Sequence, residues 1–264
     1  MESEKVVSNT KIYRKSDFQV VLNHTVKFPG VKIDRSKYLN KELSRHCNND
    51  IVKKAIALTP SVAGVEDEII KKIAESSIKY ETTKVTSISA AASISGGIMM
   101  AATIPGDLAQ YFAHILRILQ KLIYLYGWQQ IELSEDKLDD ATKNQLTLFV
   151  GVMFGVTSAN VTIAKIAHGT AFRTQKDLMN KALTHSTIYP IVKKVAYKLG
   201  VRMNKEIFAK STTKIIPGIG AVFSGGITYL TYKPLANRLY NYLASLHKVT
   251  TTLEIDNNGD CELK

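Results

Sequence analysis

Three side chains near the middle of the chain have types and a spacing suited to acid–base chemistry. Asp107, Tyr111 and His114 stand at positions i, i+4 and i+7, so a helix projects them from one face. A carboxylate that orients a histidine, with a tyrosine beside it, can carry general acid–base catalysis if a substrate reaches the group. A structural explanation competes with this one. Asp107 suits a helix start, and His114 with the nearby Arg117 can simply face solvent or a neighbouring helix.

Other signatures of catalysis are absent from the sequence. It contains no GxSxG nucleophile elbow, no GxxxxGK[ST] phosphate loop, no GxGxxG dinucleotide fingerprint and no HExxH zinc motif. The six histidines are scattered without the mutual spacing of metal ligands. We therefore expect no metal and no cofactor, and we favour a non-enzymatic protein over a hydrolase.

A second group of residues has the character of an anion-binding surface. Helical spacing gathers Lys194, Lys198 and Arg202 on one side of a helix that also carries apolar residues. A basic amphipathic helix next to a glycine-rich apolar segment suits an anionic membrane, where each exposed lysine or arginine contributes about 1 kcal/mol. The solvated face of an ordinary helical bundle is the alternative. The candidate residues for binding a membrane or another anion are Lys193, Lys194, Lys198, Arg202 and Lys205.

The net charge of the chain points to the same class of partner. Its 35 Lys and Arg against 23 Asp and Glu give a formal charge of +12, which predicts attraction to phospholipid headgroups, nucleic acid or an acidic protein. Nucleic acid is the least favoured, because no recognised binding module and no aromatic–basic platform accompanies the charge. We expect an anionic membrane surface or a membrane-associated protein as the partner, while the oligomeric state stays open.

The catalytic candidates lie on the most clearly defined helical segment, residues 104–128. Pro105 suits the first helical position and Gly127 suits the stop. Between them, apolar residues recur at helical spacing, which predicts a helix central to the fold. These residues are Leu108, Phe112, Ile115, Leu119, Leu122 and Ile123.

The rest of the body also has helical periodicity, with almost no convincing strand. This pattern predicts a single compact all-α domain of several helices over residues 34–249. Residues 1–33 are expected to form a loosely attached arm or a short strand, and the polar tail 250–264 suits a terminal hairpin or disorder. The predicted helices are Ser36–Arg45, Asp50–Leu58, Glu66–Ala91, Asp107–Tyr126, Asp139–Ser158, Asn160–Lys181, Ile191–Leu199, Lys205–Ala209 and Ala221–Leu246.

Three windows without any charged side chain approach the length of a membrane span: residues 85–106, 144–164 and 215–232. Their polar and glycine content argues against ordinary spans and favours close helix packing in a soluble core. A protein that inserts into membranes only under some conditions is the alternative. The small residues and helix breakers expected to allow close packing are Gly151, Gly155, Ala159, Pro217, Gly218 and Gly220.

Three stretches make the chain similar to the EcsC protein family: IPGDLAQYFAHILRILQKLIYLYGW at 104–128, LFVGVMFGVTSAN at 148–160 and SGGITYLTYKPLANRL at 224–239. The resemblance begins near Asp34 and Arg35, continues through ALTPSVAG at 57–64, and ends near Leu243. The family takes its name from a protein encoded beside an ABC transporter. The resemblance therefore implies a bacterial-type accessory to transport, secretion or stress response, acting at or near the cytoplasmic membrane face.

Cysteine usage bears on the compartment. Cys47 and Cys261 lie far apart without a CxxC motif, and the N-terminus has no secretory signal. We therefore expect a cytoplasmic protein, peripheral at the inner membrane face. Two other functions stay open at this point, a hydrolase built around Asp107, Tyr111 and His114, and a conditional membrane-inserting protein.

Overall fold

The architecture is entirely helical in the part of the chain that the structure describes. The computed structural model describes residues 21–94, 106–133, 138–168, 188–195, 197 and 229–247, except for the side chains of 89–94, 106–109 and 168. Within these ranges nine helices pack together and no strand occurs. The predicted all-α compact domain is thereby confirmed.

The predicted helix starts agree closely with the observed ones. From α2 to α6 each start lies within one residue of its predicted position. The predicted helix Lys205–Ala209 and the tail 250–264 lie outside the described residues. In chain order the helices are α1 (21–25), α2 (Arg35–Leu43), α3 (Asn49–Ala57), α4 (Asp67–Ile94), α5 (Gly106–Leu125), α6 (Asp140–Met153), α7 (Thr157–His168), α8 (188–195) and α9 (229–247).

Helix α5 is the centre of the core, as its apolar pattern predicts. Every side chain from Tyr111 to Leu125 is buried, apart from the partly exposed Arg117. Helix α4 packs along one side of α5, and α9 contacts α5 through Tyr232. Each fully buried leucine or isoleucine of α5 contributes roughly 1.5–3 kcal/mol of transfer free energy, so this helix organises the fold.

Capping side chains begin the shorter helices. The Asp34 carboxylate accepts a hydrogen bond of 2.8 Å from the Lys37 N–H at the start of α2, and Asp139 accepts one of 2.6 Å from the Thr142 N–H at the start of α6. Asn48 caps α3 in the same way. Each of these bonds satisfies one of the backbone donors that a helix leaves without an internal partner.

A buried arginine holds the end of α3 against the core. The Arg35 guanidinium donates hydrogen bonds to the carbonyl oxygens of Ile56 at 2.6 Å, Leu58 at 2.8 Å and Trp128 at 3.1 Å. The first two are carbonyls at the C-terminal end of a helix, where a positive charge is favoured. Arg35 therefore joins α2, α3 and the segment after α5.

The small-residue stripe is arranged differently from the prediction of a single helix. Gly155 has a φ of +69°, which ends α6 at Met153 and turns the chain into α7 at Thr157. Gly151 and Ala159 consequently lie on two helices that face each other, and a Cβ added to Gly151 would lie 2.8 Å from the Cβ of Ala159. The close helix approach occurs, but across a turn, because glycine reaches the left-handed region without steric cost. Pro217, Gly218 and Gly220 lie outside the described residues.

The described part of the N-terminal arm belongs to the core, in contrast to the loose attachment we predict from the sequence. Val21 and Leu22 on α1 are buried, as are Val26 and Val31 in the following segment. Residues 21–25 are helical. The described turn of this helix and the bend after it carry too few apolar positions to show a period, so their packing is invisible in the sequence alone.

The uncharged window 144–164 folds as the α6–α7 hairpin. All eight residues from Leu146 to Met153 are buried, as expected for a helix that is apolar on nearly every side. Helix α6 has 14 residues, about 21 Å at 1.5 Å per residue, against the roughly 30 Å of a bilayer core. Over the described residues, none of the helices combines the length and the apolar character that a membrane span requires.

Candidate functional site

A single buried carboxylate gathers three basic side chains at the interface of α4 and α5. Glu81 on α4 has a fully buried side chain. Its Oε2 lies 2.8 Å from the Nδ1 of His114, its Oε1 lies 2.7 Å from the Nζ of Lys121, and the Nε of Arg117 lies within 3.2 Å of both oxygens. We call these four residues the Glu81 cluster.

Helix geometry explains how one carboxylate meets three partners. His114, Arg117 and Lys121 are spaced i, i+3 and i+7 on α5, so they form one stripe along that helix. Glu81 occupies an inward position of α4, one turn after the buried Ser77. The pairing of α4 with α5 therefore sets the carboxylate opposite the middle of the basic stripe.

The electrostatic balance of the cluster favours an ionised Glu81. Burial by itself raises the pKa of this carboxyl, but the hydrogen bond from His114, the charge and hydrogen bond of Lys121 and the hydrogen bond from Arg117 outweigh it and lower the pKa to about 2. An ionised carboxylate can only accept hydrogen bonds, so the Nδ1 of His114 carries the proton that it shares with Glu81. Two permanent positive charges face one negative charge.

The cluster is connected to three further elements. Arg117 donates a hydrogen bond to the carbonyl oxygen of Gly30, in the segment between α1 and α2. The ammonium of Lys121 lies 5.0 Å from the ring centroid of Tyr80 and 6.0 Å from that of Tyr38 on α2. The hydroxyl of Tyr232 on α9 donates a hydrogen bond of 2.9 Å to the carbonyl oxygen of His114. Five parts of the fold thus meet around Glu81.

Two of the three predicted catalytic residues, His114 and Tyr111, form contacts between helices. His114 is buried and pairs with Glu81, a carboxylate from another helix. Tyr111 is buried, and its hydroxyl donates a hydrogen bond of 3.2 Å to the hydroxyl of Thr231 on α9. Asp107 lies in the first turn of α5, and its side chain is outside the described part. The structure thus gives His114 and Tyr111 partners on α4 and α9, which single-helix spacing does not reveal.

Glu81 is the residue of this cluster that the sequence analysis missed. A signal for it exists in the sequence. The buried positions Ile70, Ala74, Ile78 and Val85 recur on α4 at helical spacing, and Glu81 falls in the same stripe. A lone carboxylate on an apolar helix face requires a basic partner, because an unpaired buried charge is strongly unfavourable.

Metal binding finds no support among the described residues. No group of three or more His, Cys, Asp or Glu side chains within them is placed to hold a metal ion. The Glu81 cluster contains one carboxylate and one histidine with two permanent cations, which repel a metal ion.

A basic and aromatic face occurs on α8. Ile191, Val192 and Val195 of this helix are buried against the core, where the first and last lie beside Gly151 of α6. On the opposite face Lys193 and Lys194 are exposed. The same exposed side carries Tyr189 and Tyr197, with 44% and 70% of their surface accessible.

This exposed set, Tyr189, Lys193, Lys194 and Tyr197, is called the α8 face. It contains two of the five predicted anion-binding residues. The other three, Lys198, Arg202 and Lys205, lie outside the described residues. The two tyrosines stand four residues on either side of Lys193, so they share its side of the helix. The predicted anion-binding set contains these lysines without their aromatic neighbours.

Positive charge is concentrated in the second half of the body. Residues 144–249 contain fourteen Lys and Arg against two Asp and Glu, an excess equal to the net charge of +12 of the whole chain. Helices α7, α8 and α9, as described, contain no Asp or Glu at all. The exposed lysines of these helices therefore have no carboxylate within their own elements to neutralise them.

Comparisons with protein-family models, with curated proteins and with solved structures found no match. The resemblance to the EcsC family accordingly stays a prediction made from the residues.

Proposed function

We propose that this protein is a non-enzymatic helical protein. It binds peripherally to the anionic surface of the cytoplasmic membrane, on the cytoplasmic face. The observation that carries the proposal is the α8 face, in which exposed lysines lie beside exposed tyrosines over a buried apolar face. The EcsC-like segments extend the proposal to an accessory role in transport, secretion or stress response.

The chemistry of the α8 face supports a lipid surface as its partner. Lysine side chains near anionic headgroups gain electrostatic free energy of about 1 kcal/mol each. Tyrosine rings are favoured at the membrane interface because one end is apolar and the other forms hydrogen bonds with water and headgroups. The excess of positive charge in residues 144–249 adds a long-range attraction to an anionic surface.

The geometry of the Glu81 cluster is the reason that a hydrolase is not the function we propose. His114 uses Nδ1 to bind a fully buried carboxylate at the interface of α4 and α5, and Tyr111 bonds to α9. These contacts give His114 and Tyr111 a structural role, which is to stabilise the packing of α5 against α4 and α9. Membrane insertion by the α6–α7 hairpin is likewise disfavoured, because α6 is too short to cross a bilayer core.

Charge reversal on the α8 face tests the proposal directly. The double variant K193E/K194E is expected to bind anionic phosphatidylglycerol vesicles at least roughly 30-fold more weakly than the wild type, since two favourable contacts of about 1 kcal/mol each are lost. Folding should be unchanged, because both lysines are exposed. Vesicle sedimentation over a salt series, with neutral phosphatidylcholine vesicles in parallel, gives the affinities.

The chain supplies a matched control in its own sequence. The tetrapeptide Ile-Val-Lys-Lys occurs at 191–194 and again at 51–54 on α3, where Lys53 and Lys54 are also exposed. The variant K53E/K54E makes the same change of net charge on a helix that has no tyrosine beside the lysines. Equal losses of affinity in the two variants would show that only net charge matters. They would contradict the proposal that the α8 face is the binding surface.

A further inference from the structure

In the part of the chain that the structure describes, the first turn of α9 displays exposed apolar side chains. Leu230 is 71% exposed and Tyr229 is 43% exposed. The ammonium of Lys233 donates a hydrogen bond of 3.0 Å to the Tyr229 hydroxyl and lies 5.3 Å from the centre of its ring. We call Tyr229, Leu230 and Lys233 the α9 turn.

The neighbouring residues hold this turn rigidly on the core. Tyr232 is fully buried, and its hydroxyl donates a hydrogen bond to the His114 carbonyl oxygen at 2.9 Å. The hydroxyl of Thr231 accepts one from Tyr111 at 3.2 Å. With Thr231 and Tyr232 fixed against α5, Leu230 is directed outward, and turning it inward would require breaking both contacts. Its exposure is therefore a property of the folded state.

We propose that the α9 turn is a second contact with an anionic phospholipid bilayer, in which Leu230 enters the boundary between headgroups and acyl chains. This inference rests on the proposed membrane function and adds an apolar anchor to it. Tyr229 and Lys233 remain at the level of the headgroups, where the phenol and the ammonium keep polar neighbours. Binding through Leu230 should persist at salt concentrations that screen the lysines, because apolar burial does not depend on ionic strength.

Charge complementarity favours lipid over a second copy of the chain. A two-fold contact between copies would place identical patches together, so each Lys233 would meet the positive surface of the other subunit. Helices α7, α8 and α9, as described, supply no carboxylate to offset that repulsion. A bilayer of anionic lipids presents the opposite sign of charge together with an apolar layer directly beneath it.

An uncharged substitution with a matched control tests the anchor. Leu230→Ser removes the apolar side chain without altering net charge, and Leu58→Ser makes the same change at another exposed leucine, which is 40% accessible and lies at the end of α3. We expect Leu230→Ser to lower affinity for phosphatidylglycerol vesicles at least fivefold in 0.5 M salt, and Leu58→Ser to leave it within twofold. Under the same conditions K193E/K194E should keep most of its salt-resistant binding.

The outcomes separate this inference from the proposed function. If the wild type binds no vesicles at any salt concentration, the proposed function fails and the inference fails with it. If the wild type binds only at low salt, and both serine variants behave alike, the inference alone is overturned. If Leu230→Ser instead changes a dimer into a monomer in light scattering without lipid, the turn is an interface between copies and the lipid assignment is wrong.

A depth measurement gives an independent check. The single tryptophan, Trp128, is buried, so a Leu230→Trp variant adds one reporter at the proposed anchor. Brominated acyl chains in phosphatidylglycerol vesicles should quench the added fluorescence of Leu230→Trp and not that of Leu58→Trp. Equal quenching of both, or quenching of neither while the proteins are bound, would contradict insertion of the α9 turn.

Discussion

At the scale of single residues, Glu81 is the buried charge that holds three basic side chains between α4 and α5. It is fully buried and is bound by His114, Arg117 and Lys121. A buried ion pair adds little when compared with apolar packing, but removal of one partner leaves the others as uncompensated charges. The sequence contains a sign of this role, since one carboxylate interrupts the apolar stripe of α4. The sequence does not indicate which basic residues pair with Glu81.

Neutralising Glu81 should therefore cost much of the stability. We expect Glu81→Gln to lower the free energy of unfolding by about 3–5 kcal/mol, because Arg117 and Lys121 lose their buried counter-charge. Urea denaturation measures the change. Glu75→Gln, at an exposed position on the same helix, serves as the control and should alter stability by no more than about 0.5 kcal/mol. Similar losses in the free energy of unfolding for the two variants would show that solvent screens the charges of the cluster.

At the scale of elements, the close approach of α6 and α7 depends on two small residues facing each other across the turn at Gly155. The sequence places Gly151, Gly155 and Ala159 four residues apart, which suggests one continuous helical stripe. Only the three-dimensional course of the chain shows that the middle glycine has a positive φ and ends the helix. Propensity alone does not predict this break, because the residues around it are apolar and suit a helix interior.

Exchanging the two small residues tests this packing. Gly151→Ala should destabilise the protein by about 1–3 kcal/mol, because its Cβ would lie 2.8 Å from that of Ala159. The double variant G151A/A159G should return to within about 1 kcal/mol of the wild type, since the two changes in helix propensity nearly cancel. Urea denaturation of the wild type, Gly151→Ala, Ala159→Gly and the double variant gives the coupling. Additive effects of the two substitutions would argue against a direct contact.

At the scale of the whole molecule, the Glu81 cluster links its protonation to global folding. The folded-state pKa of Glu81 is lowered from an ordinary value of 4.5 to about 2. A depressed carboxyl pKa stabilises the folded protein above the unfolded-state value, and this contribution is lost as the pH falls towards the folded-state value. Because the cluster joins α4, α5, α9 and the segment before α2, we expect the loss to appear as cooperative unfolding.

The pH dependence can be measured by difference. Between pH 6 and pH 2 the gap in unfolding free energy between the wild type and Glu81→Gln should shrink by about 3 kcal/mol, with the change confined to the range below about pH 4.5. Urea denaturation at a series of pH values provides both curves. A constant gap over this range would mean that Glu81 titrates normally in the folded protein.

Charge is the other property of the whole molecule with a functional consequence. The excess of +12 lies within residues 144–249, so the second half of the body carries the positive charge of the chain. Both the α8 face and the α9 turn lie within that range. The distribution of charge along the chain can be predicted from the sequence. The exposure of particular lysines, tyrosines and Leu230 depends on how α8 and α9 pack.

By itself the sequence determines the helical class, the starts of most helices, the central position of α5 and the positive charge of the second half. These properties depend on residues close together along the chain, through periodicity, capping and composition. Only the tertiary structure decided that His114 pairs with Glu81, that Arg35 caps α3, that the stripe at Gly151 turns at Gly155, and that Leu230 faces outward. Each of these depends on which helix faces which, and contacts between residues distant in sequence leave no local pattern from which they could be predicted.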